Sequence, residues 1–297
     1  MEHTGRRPRH ATRVVRLIAA WAASRALACG GNSTALACPP GQADCGGGCV
    51  RLSTSVSNCG ACGVACPAGS TCSGGGCKGA ALSVGAHTLR NDVAGLGSNP
   101  MTTAPVTTRT SGSTFVVFAG AGISGGTAFQ SLGDNMGNAY APIGLPQPYA
   151  GGEGELRAFY CAPPCRGGAG HTWSLYKPAS LSNWEAVLFV VEVTGAPALD
   201  AFSQADAARS PLSAGSVATT KAGDLLLVCA LAASYGSPDV YTPAPGFTLL
   251  DDQTNGSNSL GGADAWSLAG GPGTYTGALA SSLATSGAVF LVALSPP

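Results

Sequence analysis

A serine sits inside Gly122-Ile-Ser124-Gly-Gly126, with Asp134 and His171 downstream. That order suits acyl transfer: the hydroxyl attacks, the imidazole takes its proton, and the carboxylate orients the imidazole. A GxSxG serine is exposed by a sharp strand-to-helix turn, however, and the residues after Ser124 carry no helical periodicity. Gly120, Gly122 and Gly125 also satisfy the GxGxxG spacing of a dinucleotide loop, which needs the same helix and a second parallel strand ending in an acid. Both patterns are read as one Gly-rich loop, so no catalytic residue and no cofactor is assigned.

A glycosidase would need two carboxylates about 5–10 Å apart across a groove. Glu153, Glu155, Glu185 and Glu192 are the candidates. Strand alternation puts Glu153 and Glu155 on one face, expected to meet solvent, while Glu185 and Glu192 interrupt an apolar strand and are expected to meet solvent or a polar partner. His87 and His171 stand far apart without neighbouring ligands, and no metal site is assigned to them. Asp251 and Asp252, in DDQTNGSN, have the oxygen chemistry to hold calcium with help from carbonyls, but Asp and Asn also build ordinary turns. Trp173, Trp184, Trp266, Tyr140 and Tyr275 are the candidate binding residues, because exposed rings stack on sugars or anchor a protein partner.

Eight cysteines crowd one short segment: Cys38, Cys45, Cys49, Cys59, Cys62, Cys66, Cys72 and Cys77. A segment this small cannot bury enough apolar surface to offset its chain entropy, so it needs disulfides or a metal. Cys59 and Cys62 form a CGAC pair that could hold zinc or act as a redox dithiol. The other spacings are irregular and no histidine lies among them, so disulfides are expected and the pairing is left open. Cys161 and Cys165 bracket Ala-Pro-Pro and are expected to close a small loop, and Cys229 is expected to be a buried thiol.

The run CGGGCVRLSTSVSNCGACGVACPAGSTCSGGGC, from Cys45 to Cys77, resembles the Cys-rich repeat of stigma-specific secreted plant proteins and its copies in myxobacterial surface proteins. The resemblance implies an extracellular structural or interaction module.

Compartment follows from the amino end. Arg6, Arg7, Arg9, Arg13, Arg16 and Arg25 precede or interrupt an apolar run, LIAAWAASRALA, that ends at Ala28-Cys29. Basic region, short apolar region and small-residue junction are the order of a secretory signal, and the stretch is too short to span a bilayer. ALAC resembles a bacterial lipoprotein signal, which implies lipidation at Cys29. From Cys29 onward nine basic residues face fourteen acidic ones. That balance offers no field for phosphates, so no nucleic-acid partner is expected, and membrane contact only through the lipid anchor.

The positioning elements are short. Charged residues are 10% of the chain, while 44 Gly and 20 Pro punctuate it, which suits strands and tight turns better than helices with charged faces. Expected strands cover residues 114–119, 156–161, 171–176, 184–194, 224–231, 247–250, 263–268 and 288–294, and several are apolar on both faces. Gly-, Pro- and Asn-rich segments separate them and leave no room for the crossover helices of a parallel sheet. The order of TFVVFAG, DNMGNAY, VLFVVEVTG, AGDLLLV, FTLL and AVFLVAL resembles a β-sandwich domain of bacterial secreted and phage-associated proteins, which brings no catalytic residues and implies binding or display.

The expected fold class is therefore all-β: a two-layer antiparallel β-sandwich, jelly-roll or lectin-like, of ten or more strands, preceded by a disulfide-rich module. Residues 1–28 are read as a signal peptide, 29–37 as a tether, 38–78 as the Cys-rich module and 79–297 as the sandwich. The expected function is an exported or surface-anchored, non-enzymatic protein that binds carbohydrate or a protein partner. A secreted hydrolase acting on polysaccharide or ester is the alternative, and a dithiol oxidoreductase would require Cys59 and Cys62 to pair with each other.

Overall fold

The structure, a computed structural model, describes residues 38–66, 70–79, 81–93, 95–122, 129–149, 154–233, 239–253, 260–284 and 286–297. The signal segment, the Cys29 junction, Ser124 and Glu153 lie outside the described residues.

The Cys-rich module contains two small hairpins, β1 (Ala43–Asp44) with β2 (Cys49–Val50) and β3 (Thr71–Ser73) with β4 (Gly76–Lys78). Among its described residues only Cys59, Ser70 and Cys72 are buried. So little core cannot hold a shape, and four disulfides take its place: Cys38–Cys49, Cys45–Cys62, Cys59–Cys72 and Cys66–Cys77. Closing a loop of this size contributes about 3 kcal/mol per bridge.

The larger region is an all-β sandwich, and it is built twice. Its first half contains β5 (Ser83–Asp92), β6 (Met101–Thr102), β7 (Ser113–Ala121), β8 (Ser131–Asp134), β9 (Ala141–Tyr149), β10 (Gly154–Tyr160), β11 (Trp173–Tyr176) and β12 (Ala186–Thr194). They form a five-stranded sheet, β5-β12-β7-β10-β9, and a three-stranded sheet, β6-β11-β8. The second half contains β13 (Ala198–Ala207), β14 (Leu212–Thr219), β15 (Leu225–Ala233), β16 (Tyr241–Pro243), β17 (Thr248–Gln253), β18 (Leu260–Leu268), β19 (Gly273–Ser281) and β20 (Gly287–Ser295). Its sheets, β13-β20-β15-β18-β17 and β14-β19-β16, repeat the order of the first half strand for strand. The alternation of each half between its two sheets is that of a jelly roll.

The two five-stranded sheets face each other across a core that includes Val116, Phe118, Phe189, Leu227, Phe290 and Val292. Each uses its other face to cover its own three-stranded sheet, through Phe115, Trp173 and Leu175 in the first half and Leu212, Val228 and Leu279 in the second. The strands thus lie in four layers. This explains why β7, β12 and β20 are buried at every position: each lies in an inner layer with protein on both sides.

Register makes the repeat specific. Phe189 pairs with Phe118, and Phe290 with Cys229. Setting Phe290 on Phe189 therefore carries Phe118 to Cys229, Gly120 to Leu231 and Gly112 to Gly223. The two last-named glycines both have positive φ, 75° and 81°, a conformation that turns the chain into the following strand. Gly120 and Leu231 meet at the seam, where the Leu231 methyls fill the place a Cβ at Gly120 would take. A small residue in one half receives its large counterpart from the other, which gives the inner sheets their close approach.

Candidate functional site

The structure brings together two of the residues that the sequence offers as a triad. His171, at the start of the segment leading into β11, places Nε2 3.1 Å from Oδ2 of Asp134 on β8. Its other nitrogen, Nδ1, is 2.9 Å from the Thr108 hydroxyl. The third member is thus Thr108, with no sequence motif to mark it. If Nε2–H donates to the carboxylate, Nδ1 accepts from Thr108. The arrangement has the connectivity of a nucleophile-base-acid line, but His171 is wholly buried, stacked 3.9 Å from Trp173 with Phe115 edge-on at 4.8 Å. The Thr108 hydroxyl also accepts the Gly168 N–H at 3.0 Å.

Asp134 is the hub of this network. It accepts from the Met136 and Asn138 amides, both at 3.0 Å, from the Asn138 side chain at 2.6 Å and from the Tyr140 hydroxyl at 2.7 Å. Burial opposes its charge, but the donors from His171, Asn138 and Tyr140 outweigh burial and hold the carboxyl well below the usual range. Burial, then the Asp134 charge beside it, pushes the Tyr140 phenol well above its usual range. The Trp173 indole N–H donates to the same phenol oxygen at 2.6 Å. The cluster pins β8 to β11 and the 135–140 turn, and it offers no face to a substrate.

Glu155, expected to meet solvent, is buried, whereas Glu192 meets the polar partners that were the alternative to solvent for it. Glu155 pairs with Arg157, whose Nε approaches Oε1 at 2.8 Å, and that guanidinium lies 5.3 Å from the Phe129 ring. Glu192 accepts from the Ala86 amide at 3.0 Å, the Arg109 amide at 2.9 Å and the Ser113 hydroxyl at 2.6 Å. Glu185 is also buried, against the backbone of Gly122. The alternation argument placed Glu155 outside because it assumed one solvated sheet face, whereas inner sheets have none. A further buried ion pair, Lys177 with Asp92 at 3.1 Å, is completed by the Ser98 amide and by Arg90.

The candidate rings do not share a surface. Trp173 is in the core and offers no ring face to solvent; Trp266 packs partly against the central core, and Tyr275 against the second. Tyr140 is half-buried at the Asp134 hub, and Trp184 alone of the five is exposed, at 39%. The more accessible apolar groups are aliphatic or lie elsewhere: Leu145 is 75% exposed and Phe202 42%. Leu145 lines a shallow groove of about 300 Å³ beside β9, with Pro142, Ile143, Pro146, Arg157, Ala158 and Phe159, while Phe202 approaches the same strand at Gly144.

All ten cysteines expected to be oxidised are in disulfides, the fifth being Cys161–Cys165, and Cys229 is a buried free thiol. Cys59 and Cys62 pair with different partners, which removes the CGAC redox dithiol. Cys59, Cys66 and Cys77 lie close enough for a metal, but their sulfurs are spent in disulfides and supply no thiolate. Asp251, one of the two calcium candidates, places Oδ2 2.8 Å from His87 Nδ1 across the seam between the halves. Its amide donates to Asp264, a fully buried acid whose carboxyl is raised well above its usual range by burial, then by Asp251.

Sequence reasoning missed Thr108, the Lys177–Asp92 pair, Asp264, and two neighbouring acids of the second half, Asp200 and Asp224. None belongs to a spaced motif; only Asp224, at the head of the DLLLVCAL run, carried a local signal as the polar start of a strand. Chemically, the described residues divide into sealed polar clusters and exposed apolar edges. Searches of family models, curated proteins and solved structures found no match to this chain.

Proposed function

We propose that this is an exported, surface-displayed binding protein without a catalytic centre, lipid-anchored at Cys29, in which the Cys-rich module is a protease-resistant spacer and the doubled sandwich presents the binding surface. The observation that carries this reading is the sealing of the Thr108–His171–Asp134 line: the best acid-base geometry among the described residues is spent on holding strands. Five disulfides suit an oxidising compartment, as the export reading requires. The resemblance of the Cys45–Cys77 run to secreted Cys-rich repeats supports the same placement.

A protein partner fits better than carbohydrate. Sugar stacking needs flat rings grouped on one face, and the five candidate rings are scattered or buried. The groove beside β9, lined mostly by Pro142, Ile143, Leu145, Pro146 and Phe159, has instead the apolar character of a contact for a protein side chain.

The test is the intact mass of the protein recovered from membrane and medium fractions of its host, together with a turnover screen on ester and polysaccharide substrates. A chain beginning at an acylated Cys29, with ten cysteines oxidised and no turnover, is expected. A chain that keeps Arg6 to Arg25 with free thiols would remove the export reading. Turnover by the purified protein would replace display with the hydrolase alternative.

A further inference from the structure

The two halves place a carboxylate in the same space and surround it differently. Register matches Gly85 with Asp200, Glu192 with Ala293, Arg109 with Thr220 and Ser113 with Asp224. In the first half the acid comes from the inner strand β12: Glu192 reaches into the bulge of β5, and Gly85 must lack a side chain because the carboxylate fills its place. Three donors meet that one charge, the Ala86 and Arg109 amides and the Ser113 hydroxyl, and the cluster is closed.

In the second half the acid has moved to the edge strand. Asp200 is the extra residue of a bulge between Leu199 and Ala201, and β20 carries only Ala293 opposite it. A bulge re-aims the side chain it carries. The Asp200 carboxylate accepts the Thr220 amide at 2.8 Å and the Thr220 hydroxyl at 2.6 Å, so residue 220 plays the part of its counterpart Arg109. Where Ser113 donates, however, the second half has Asp224, an acceptor in place of a donor. Asp224 is wholly buried, and neither of its oxygens has a hydrogen-bond partner. Its carboxyl faces that of Asp200, with the Thr220 and Lys221 amides approaching outside bonding geometry. The nearest cation, Lys221, commits its ammonium to the Pro296 carbonyl at 2.6 Å.

Two carboxylates side by side, one of them buried and without hydrogen bonds, are costly to keep charged together unless a proton or a cation lies between them. Burial, then Asp200, pushes Asp224 up to about 6, so the proton that would satisfy the pair is leaving at neutral pH. We propose that Asp200 and Asp224, with the Thr220 hydroxyl beside them, form a calcium site. The donors are all hard oxygens, which selects calcium over zinc or copper, and two carboxylates leave much of the shell to water. Such a site binds weakly, with a Kd on the order of 0.1–1 mM, the range of extracellular calcium modules.

The site stands where the Cys-rich module joins the sandwich. Gly79 packs against Pro296 and Pro297, and Lys221 holds the Pro296 carbonyl, so an ion that fixes the turn before β15 also stiffens the base of the module.

The test is a calcium titration of the disulfide-bonded chain near neutral pH, read by calorimetry and by thermal melting against a chelator control. Wild type is expected to bind one ion with a Kd on the order of 0.1–1 mM and to melt at higher temperature as calcium rises. Asp224→Ser restores the arrangement of the first half, a hydroxyl facing one acid. It is expected to fold, to melt no lower than wild type without calcium, and to lose the calcium response. Asp252→Asn is expected to keep it. Absence of calcium heat in wild type, an unchanged response in Asp224→Ser, or loss of the response in Asp252→Asn would each overturn the assignment. None of these outcomes bears on export or catalysis, so this inference and the display reading fail separately.

Discussion

At one matched place the first half of the sandwich closes its buried acid, Glu192, and the second leaves its own, Asp224, open, although both halves fold to the same strand order. Around Glu192 and Asp134 every carboxylate meets several donors, and Asp134 is held ionised by them. Around Asp200 and Asp224 one residue supplies both donors and the second acid has none in bonding geometry. A buried charge that is fully hydrogen-bonded belongs to the scaffold, whereas an uncompensated one asks for a ligand. The repeat thus supplies an internal control: the same place in the fold, once completed by the chain itself and once not.

The comparison breaks most severely at the sealed cluster. Asp134→Ala leaves His171, Tyr140 and the Asn138 amide without their acceptor, and we expect a loss on the order of 3–5 kcal/mol in urea unfolding. A smaller effect tests the seam. Gly120→Ala pushes a methyl into the Leu231 side chain and is expected to cost about 1–3 kcal/mol, with part of that recovered when Leu231→Ala is added; additive losses in the double-mutant cycle would deny the contact.

The pH dependence of stability carries opposite signs in the two halves. The raised pKa of Asp224 means that the folded chain holds a proton which the unfolded chain releases near 3.8, so its contribution is full below that value and is lost as pH rises through about 6. The loss is on the order of 3 kcal/mol, and Asp224→Ser should flatten that part of the curve. The lowered pKa of Asp134 contributes stability above about 4, and that is lost as pH falls below it. Smallest is the His87–Asp251 pair at the seam: both side chains are partly solvated, and His87→Gln is expected to change stability by about 0–1 kcal/mol.

Strand identity was legible where runs are apolar on both faces, as in TFVVFA, VLFVVEVT, DLLLVCAL and AVFLVAL, which became β7, β12, β15 and β20. The same feature held the clue to layering, because a strand apolar on both sides has protein on both sides. Apart from β17, foreshadowed by FTLL, the edge strands of the five-stranded sheets were not legible. β9 reads APIGLPQPY, with three prolines that a central strand would not tolerate, and β5 and β13, like β14 at the edge of a three-stranded sheet, carry few large apolar residues. The repeat is faint for a related reason: packing selects for volume and alternation, so Gly112 and Gly223, held by positive φ, are among the few identities that survive. Asp134 and His171 stood out by type, but their partner Thr108 is brought close only by the pairing of residue 106 with His171, a long-range contact invisible to spacing.

The most direct test of the contrast between a closed and an open half is a carboxyl carbon NMR titration of the aspartates in the disulfide-bonded chain without calcium. Asp224 is expected to titrate with a midpoint of about 6 while Asp134 stays ionised below the usual aspartate range. An Asp224 midpoint in the ordinary range, or an Asp134 that protonates there, would mean that the two halves satisfy their buried acids alike, and the account of the second half as the open one would be contradicted.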